Sequence, residues 1–162
     1  MASDYFPTDL YRSKRNDEFP TPQDFFDELD AEFHFDLDPC STDENAKCER
    51  HFTREQDGLK QEWTGRVWMN PPYGRECGKW VKKAFESVYG GGTAELVVCL
   101  LPARTGSPWF HDYCLKGEVR FVRGRLKFDG TPYNAPFDVM VIVFRKGDKH
   151  GLRTADKADS DG

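Results

Sequence analysis

The chain has 162 residues, 38% apolar and 14% aromatic, with a formal net charge of −5, enough for one domain around one continuous core and too short for two full domains. No run approaches the roughly 18 apolar residues of a membrane span, and residues 1–15 carry Asp4, Asp9, Arg12, Lys14 and Arg15 without an apolar h-region, which argues against a membrane protein or a secreted one and for a soluble, cytoplasmic protein. Cys40, Cys48, Cys77, Cys99 and Cys114 are odd in number and irregularly spaced, so they read as reduced thiols. Cys40, Cys48 and His51 lack the Cys-x-x-Cys pair and fourth ligand of a zinc site, so no metal is expected.

Residues 1–18 are polar and irregular and read as a flexible N-terminus. Thr21-Pro22-Gln23-Asp24 is a helix start with proline in the first turn, and Phe25, Phe26 and Leu29 follow at helical spacing, which predicts a helix over 22–32. Residues 33–38 alternate apolar and polar before Pro39, the pattern of a short strand. Residues 43–62 stay mostly unassigned, with Phe52 and Leu59 as isolated core anchors.

Val67-Trp68-Met69 predicts a second strand, ended by Asn70-Pro71-Pro72 because proline cannot donate to a ladder. Trp80, Val81, Ala84, Phe85 and Val88 mark an amphipathic helix closed by Gly90-Gly91-Gly92. The continuous apolar run 96–101 predicts a central strand buried on both faces. A short helix over 109–115, a strand over 119–122 and a last strand over 139–144 follow, with 147–162 read as a disordered tail. The folded domain is therefore 19–146, an α/β unit with an open, mostly parallel sheet whose ligands bind outside the carboxyl ends of the strands, where Asp38 and Asn70 fall.

Charge is unevenly spread. Residues 1–62 hold 17 acidic and 7 basic side chains, a local net of −10, whereas 75–127 hold 10 basic and 5 acidic, a local net of +5. Arg75, Lys79, Lys82, Lys83, Arg104, Arg120, Arg123, Arg125 and Lys127 would contact several phosphates if they shared one face. A solvated helix face with ordinary surface arginines explains the same composition.

Asn70-Pro71-Pro72-Tyr73 is the most specific signal. Methylating an exocyclic amine requires acceptors for its two N–H groups, since its lone pair is otherwise delocalised into the ring. The Asn70 side-chain oxygen and the Pro71 carbonyl, fixed by the diproline, are suited to that task, and Tyr73 offers a face for a flipped base. A plain strand-ending turn with Tyr73 in the core is the bland alternative.

The tetrapeptide resembles the catalytic motif of amino-group methyltransferases, and the chain over about 20–146 resembles the small phage-encoded DNA adenine-N6 methyltransferases, a Dam-like family. The resemblance implies a single-domain Rossmann-like methyltransferase fold with helices on both faces, S-adenosylmethionine as cofactor, and double-stranded DNA with a flipped adenine as substrate. It also implies action in a host bacterial cell, in restriction protection or regulation. It further places Thr21-Pro22 near the methionine part of the cofactor, Asp38-Pro39 near its amino group and Asp57 on its adenine. Arg104 and Arg125 would meet the target base or the DNA backbone. No Gly-x-Gly loop follows Asp38, and the segment between Asp38 and Asp57 is short, so the ribose-binding acid stays open among Asp43, Glu44 and Glu49. RNA adenine, protein glutamine and a non-catalytic nucleic-acid-binding role with a decayed cofactor site are the competing readings.

Overall fold

The computed structural model describes residues 18–147. The expectations for residues 1–17 and 148–162 lie outside the described residues. Helix α1 spans Gln23–Phe33 behind an extended Pro22, and its last residue, Phe33, carries it one position past the expected end. His34 closes it in a left-handed conformation (φ 55°), its N–H bonded to the Asp30 carbonyl at 2.8 Å. That reversal consumes the first half of the strand expected over 33–38: Phe33 is helical, and pairing is limited to isolated parallel bridges of Leu37 to Val67 and Asp38 to His51.

The rest follows as β1 (Gly65–Met69), α2 (Cys77–Tyr89), β2 (Ala94–Pro102), α3 (Pro108–Asp112), β3 (Glu118–Phe121) and β4 (Val139–Arg145). The sheet order is β1-β2-β4-β3; β1 and β2 are parallel, while β4 pairs antiparallel with both β2 and β3. Three of the four strands thus run the same way and β4 is inserted against them. The open α/β architecture is the expected one. The direction of β4 was not legible, because a strand buried on both faces has the same apolar pattern whichever way it runs.

Alternation sorts the strand side chains onto two faces. Val67, Met69, Val97, Cys99, Leu101, Met140, Ile142 and Phe144 pack with α2 through Trp80, Val81, Ala84 and Val88. Trp68, Leu96, Val98, Leu100, Val139, Val141 and Val143 pack with α1 through Phe26 and Phe33. Helices therefore cover both faces, and each large side chain so buried contributes about 1.5–3 kcal/mol.

Ion pairs, two of them long-range, tie the edges. Arg120 of β3 donates both terminal nitrogens to Glu32 of α1 at 2.8 Å and Nε to Glu118 at 2.7 Å, and Arg145 pairs with Glu118. Arg120, counted above among cations available to phosphate, is committed to the fold. None of the described helices is long and apolar enough to cross a membrane.

Candidate active site

At the carboxyl end of β1 the segments 18–21, 38–47, 53–58, 68–72 and 129–133, with Trp80 of α2, enclose a cleft of about 1160 Å³. Glu18, Asp38, Asp43, Glu44, Glu55, Asp57 and Asp129 line it against Lys47 and Arg54, and Arg54 is already paired with Glu18. The net field inside is negative and favours a cationic ligand.

Asn70 lies where β1 stops, because Pro71 and Pro72 remove the next ladder donors. Its Nδ2 donates to the Phe19 carbonyl at 2.6 Å and to Thr21 Oγ1 at 2.9 Å. A carbonyl only accepts, so the amide nitrogen must face Phe19 and the oxygen must face the other way. Among the described residues, Asn70 Oδ1 and Ser41 Oγ are the buried side-chain polar atoms without a partner, and both residues line this cleft. An unsatisfied buried acceptor costs about 1–3 kcal/mol, which a donor on a bound ligand would recover. Pro71 also lines the cleft, and its carbonyl takes no hydrogen bond from a described backbone or side chain.

Tyr73 departs from the expected stacking face. Its ring is 1% exposed, its hydroxyl donates to the Leu100 carbonyl at 3.1 Å, and Phe19 stacks on it at 5.3 Å and 24°. Phe128 and Phe137 close its edges. Tyr73 is a core pillar under the Asn-Pro-Pro turn and does not line the cleft, because Phe19 occupies the face a base would need. Among the described residues the open aromatic at the cleft is Tyr133, 54% exposed. Nothing in the sequence singles it out beyond its place in the Gly- and Pro-containing stretch 129–136.

Asp38 is buried, and its carboxylate accepts from the Cys40 N–H at 3.3 Å and the Lys47 N–H at 2.9 Å, which shapes the cleft wall over 39–47. Burial raises its pKa to about 6 against the opposing pull of those two N–H groups. Asp57 adopts the left-handed conformation (φ 56°) and accepts from the Leu59 N–H at 3.2 Å. Thr21 and Pro39 line the cleft as well, whereas Pro22 caps α1 outside it. Of the three candidate ribose acids, Asp43 and Glu44 line the cleft and Glu49 does not. His51 bonds Asp43 through Nε2 and the Glu49 carbonyl through Nδ1, both at 2.8 Å, and Asp43 first and Glu49 second raise its pKa.

Arg104 and Arg125 do not line the cleft. Arg104 Nη1 donates to the Tyr73 carbonyl at 2.6 Å, buttressing the turn, and Arg125 Nε reaches Asp138 at 3.3 Å. Arg75, Arg123 and Lys127 are exposed and carry no ion pair among the described residues.

The sequence also missed Ser41 and Gly58. A Cβ on Gly58 would fall 2.1 Å from the Pro39 carbonyl oxygen and 3.0 Å from the Trp80 ring, and the Gly58 carbonyl accepts Trp63 Nε1–H at 2.8 Å. Gly58→Ala is therefore expected to destabilise the protein by about 2–3 kcal/mol, read as a lower denaturation midpoint at unchanged slope, by forcing the cleft wall apart.

The family described as DNA N-6-adenine-methyltransferase (Dam) matches residues 9–150. The chain is 34% identical over 97 residues to the DNA N-6-adenine-methyltransferase of Escherichia phage T1, covering 58% of this chain and 39% of that protein. It is 36% identical over 89 residues to the DNA N-6-adenine-methyltransferase of Haemophilus phage HP1 (strain HP1c1), covering 54% of this chain and 49% of that protein. The similarity thus spans less than half the length of either relative. Among solved structures, the 23S rRNA methyltransferase ErmE shares a TM-score of 0.39 at 16% identity over 68% of this chain and 49% of that chain.

Proposed function

The chain belongs to the DNA N-6-adenine-methyltransferase (Dam) family, and from that premise we propose that it transfers a methyl group from S-adenosylmethionine to the exocyclic N6 amino group of adenine in DNA. The family implies a methyl donor. S-adenosylmethionine is the donor that suits the acidic cleft, since it carries a sulfonium and an ammonium, and Asp38, Asp57 and Pro39, which line that cleft, would hold it. When bound, it supplies a methyl group already activated by the sulfonium.

The observation that carries the reading is the buried, unpaired Asn70 Oδ1. With the carbonyl of the adjacent Pro71 it would offer two acceptors and no donor, a set complementary to an amino group. Accepting both N–H bonds localises the nitrogen lone pair and stabilises the positive charge that develops there as the new N–C bond forms. The methylated nitrogen then releases its surplus proton to solvent. Asn70 is half-buried within the cleft, so an adenine in a duplex must leave its stack to reach it. Tyr133, with its exposed ring at the same cleft, is the aromatic able to receive such a base. Arg75, Arg123 and Lys127, exposed and without an ion pair among the described residues, follow the carboxyl ends of the parallel strands β1 and β3 and suit phosphate contact.

Incubation with labelled S-adenosylmethionine and, in parallel, unmethylated duplex DNA, RNA or a protein extract tests the assignment. Label in DNA is expected. Label in RNA or protein alone would replace the substrate, and no transfer by folded protein would end the proposal.

A further inference from the structure

We propose that Thr21 is a positioning residue for methyl transfer, acting through Asn70 rather than through the cofactor. The inference rests on the methyltransferase reading above.

A carboxamide fills almost the same space after a 180° rotation about its terminal bond, so shape alone cannot choose between presenting its oxygen or its nitrogen. The choice decides function. With Oδ1 toward the cleft, Asn70 accepts from a substrate amino group; with Nδ2 toward it, two N–H donors oppose two N–H donors. The Phe19 carbonyl, which can only accept, makes the selection by taking one hydrogen of Nδ2, and Thr21 Oγ1 takes the second and holds the amide in that orientation. Thr21 is buried (3% exposed), so water does not replace its hydroxyl.

The segment is itself clamped. Phe19 stacks on Tyr73 and packs against Phe128 and Phe137 at 5.2 and 5.3 Å, and the Asp129 N–H bonds the Pro20 carbonyl at 3.0 Å. The catalytic turn and the excursion between β3 and β4 thus hold between them the acceptors that orient Asn70. A residue far upstream in sequence sets the direction of an amide at the end of β1.

Thr21→Val keeps the shape and removes the acceptor; Thr21→Ser keeps it. Losing one of the two buried bonds to Nδ2 is expected to lower kcat about 10- to 100-fold, as follows from about 1–3 kcal/mol for an unsatisfied buried group. The dissociation constant for S-adenosylmethionine, by calorimetry, should stay within about twofold, and Thr21→Ser should recover most of kcat. The Asn70 side-chain amide, followed by 15N-edited NMR without turnover, should show two distinct, protected protons in the wild type and lose that protection in Thr21→Val. If Thr21→Val keeps kcat, or weakens cofactor binding with kcat intact, Thr21 is a cofactor contact or a packing residue and the proposal fails. If the wild type transfers no methyl group, the functional reading falls, and unchanged Asn70 amide protection in Thr21→Val would separately overturn the positioning role.

Discussion

Asn70→Ala is expected to lower kcat by about 10³-fold while cofactor affinity stays within a few-fold, because it deletes the directed acceptor on which the transition state would lean. The fold should survive. The substitution leaves the Phe19 carbonyl and the Thr21 hydroxyl without their donor, a loss of about 1–2 kcal/mol that the two packed faces of the sheet can absorb. Single-turnover kinetics with preloaded cofactor, beside a denaturation curve, separates the two effects. An Asn70→Ala protein that methylates at the wild-type rate would remove Asn70 from the chemistry.

Asp38→Ala should act on the cofactor instead. Its carboxylate holds the backbone N–H groups of Cys40 and Lys47, and through them the wall over 39–47. Removing it leaves two donors without acceptors and takes a negative charge from the cleft, so the S-adenosylmethionine dissociation constant should rise by about 100-fold, at tenfold per 1.4 kcal/mol. The same group predicts a pH dependence. Burial raises its pKa from 3.8 to about 6, so the folded state holds this proton more tightly than the unfolded chain does. The fold is therefore favoured below the unfolded value, and stability falls as the pH rises from about 4 to about 6, by up to about 3 kcal/mol from this group. Cofactor affinity should run the other way, dropping as the pH falls through about 6 and Asp38 becomes neutral. Asp38→Asn should flatten that drop in a titration of affinity against pH; a profile identical to wild type would show that Asp38 does not face the ligand.

Where periodicity is strong, sequence and structure agree closely: Trp80, Val81, Ala84 and Val88 define α2, and the apolar run within 96–101 lies inside β2. The place of Asn70 at the end of β1 was legible because a diproline after a buried strand ends the ladder. The segment 39–57 was not, since side-chain bonds to backbone and not any repeat shape it: Asp38 to the Cys40 and Lys47 N–H groups, Asn45 to the Thr42 N–H, and Arg50 to the Asp36 and Thr64 carbonyls. Tyr73 and Arg120 mislead for a related reason. An aromatic after a strand and an arginine in a basic stretch each have two possible fates, and the partner that decides, Phe19 for one and Glu32 for the other, lies far away in sequence. Arg104 and Arg125 are likewise placed by the Tyr73 carbonyl and by Asp138, contacts that composition does not foretell.

The most direct test of the central claim is the position of the transferred methyl group. After reaction with unmethylated duplex DNA and labelled S-adenosylmethionine, digestion to nucleosides and mass spectrometry should find the label in N6-methyladenine. Label on the cytosine amino group, on a ring carbon or ring nitrogen, or no label from a folded protein that binds the cofactor, would contradict it.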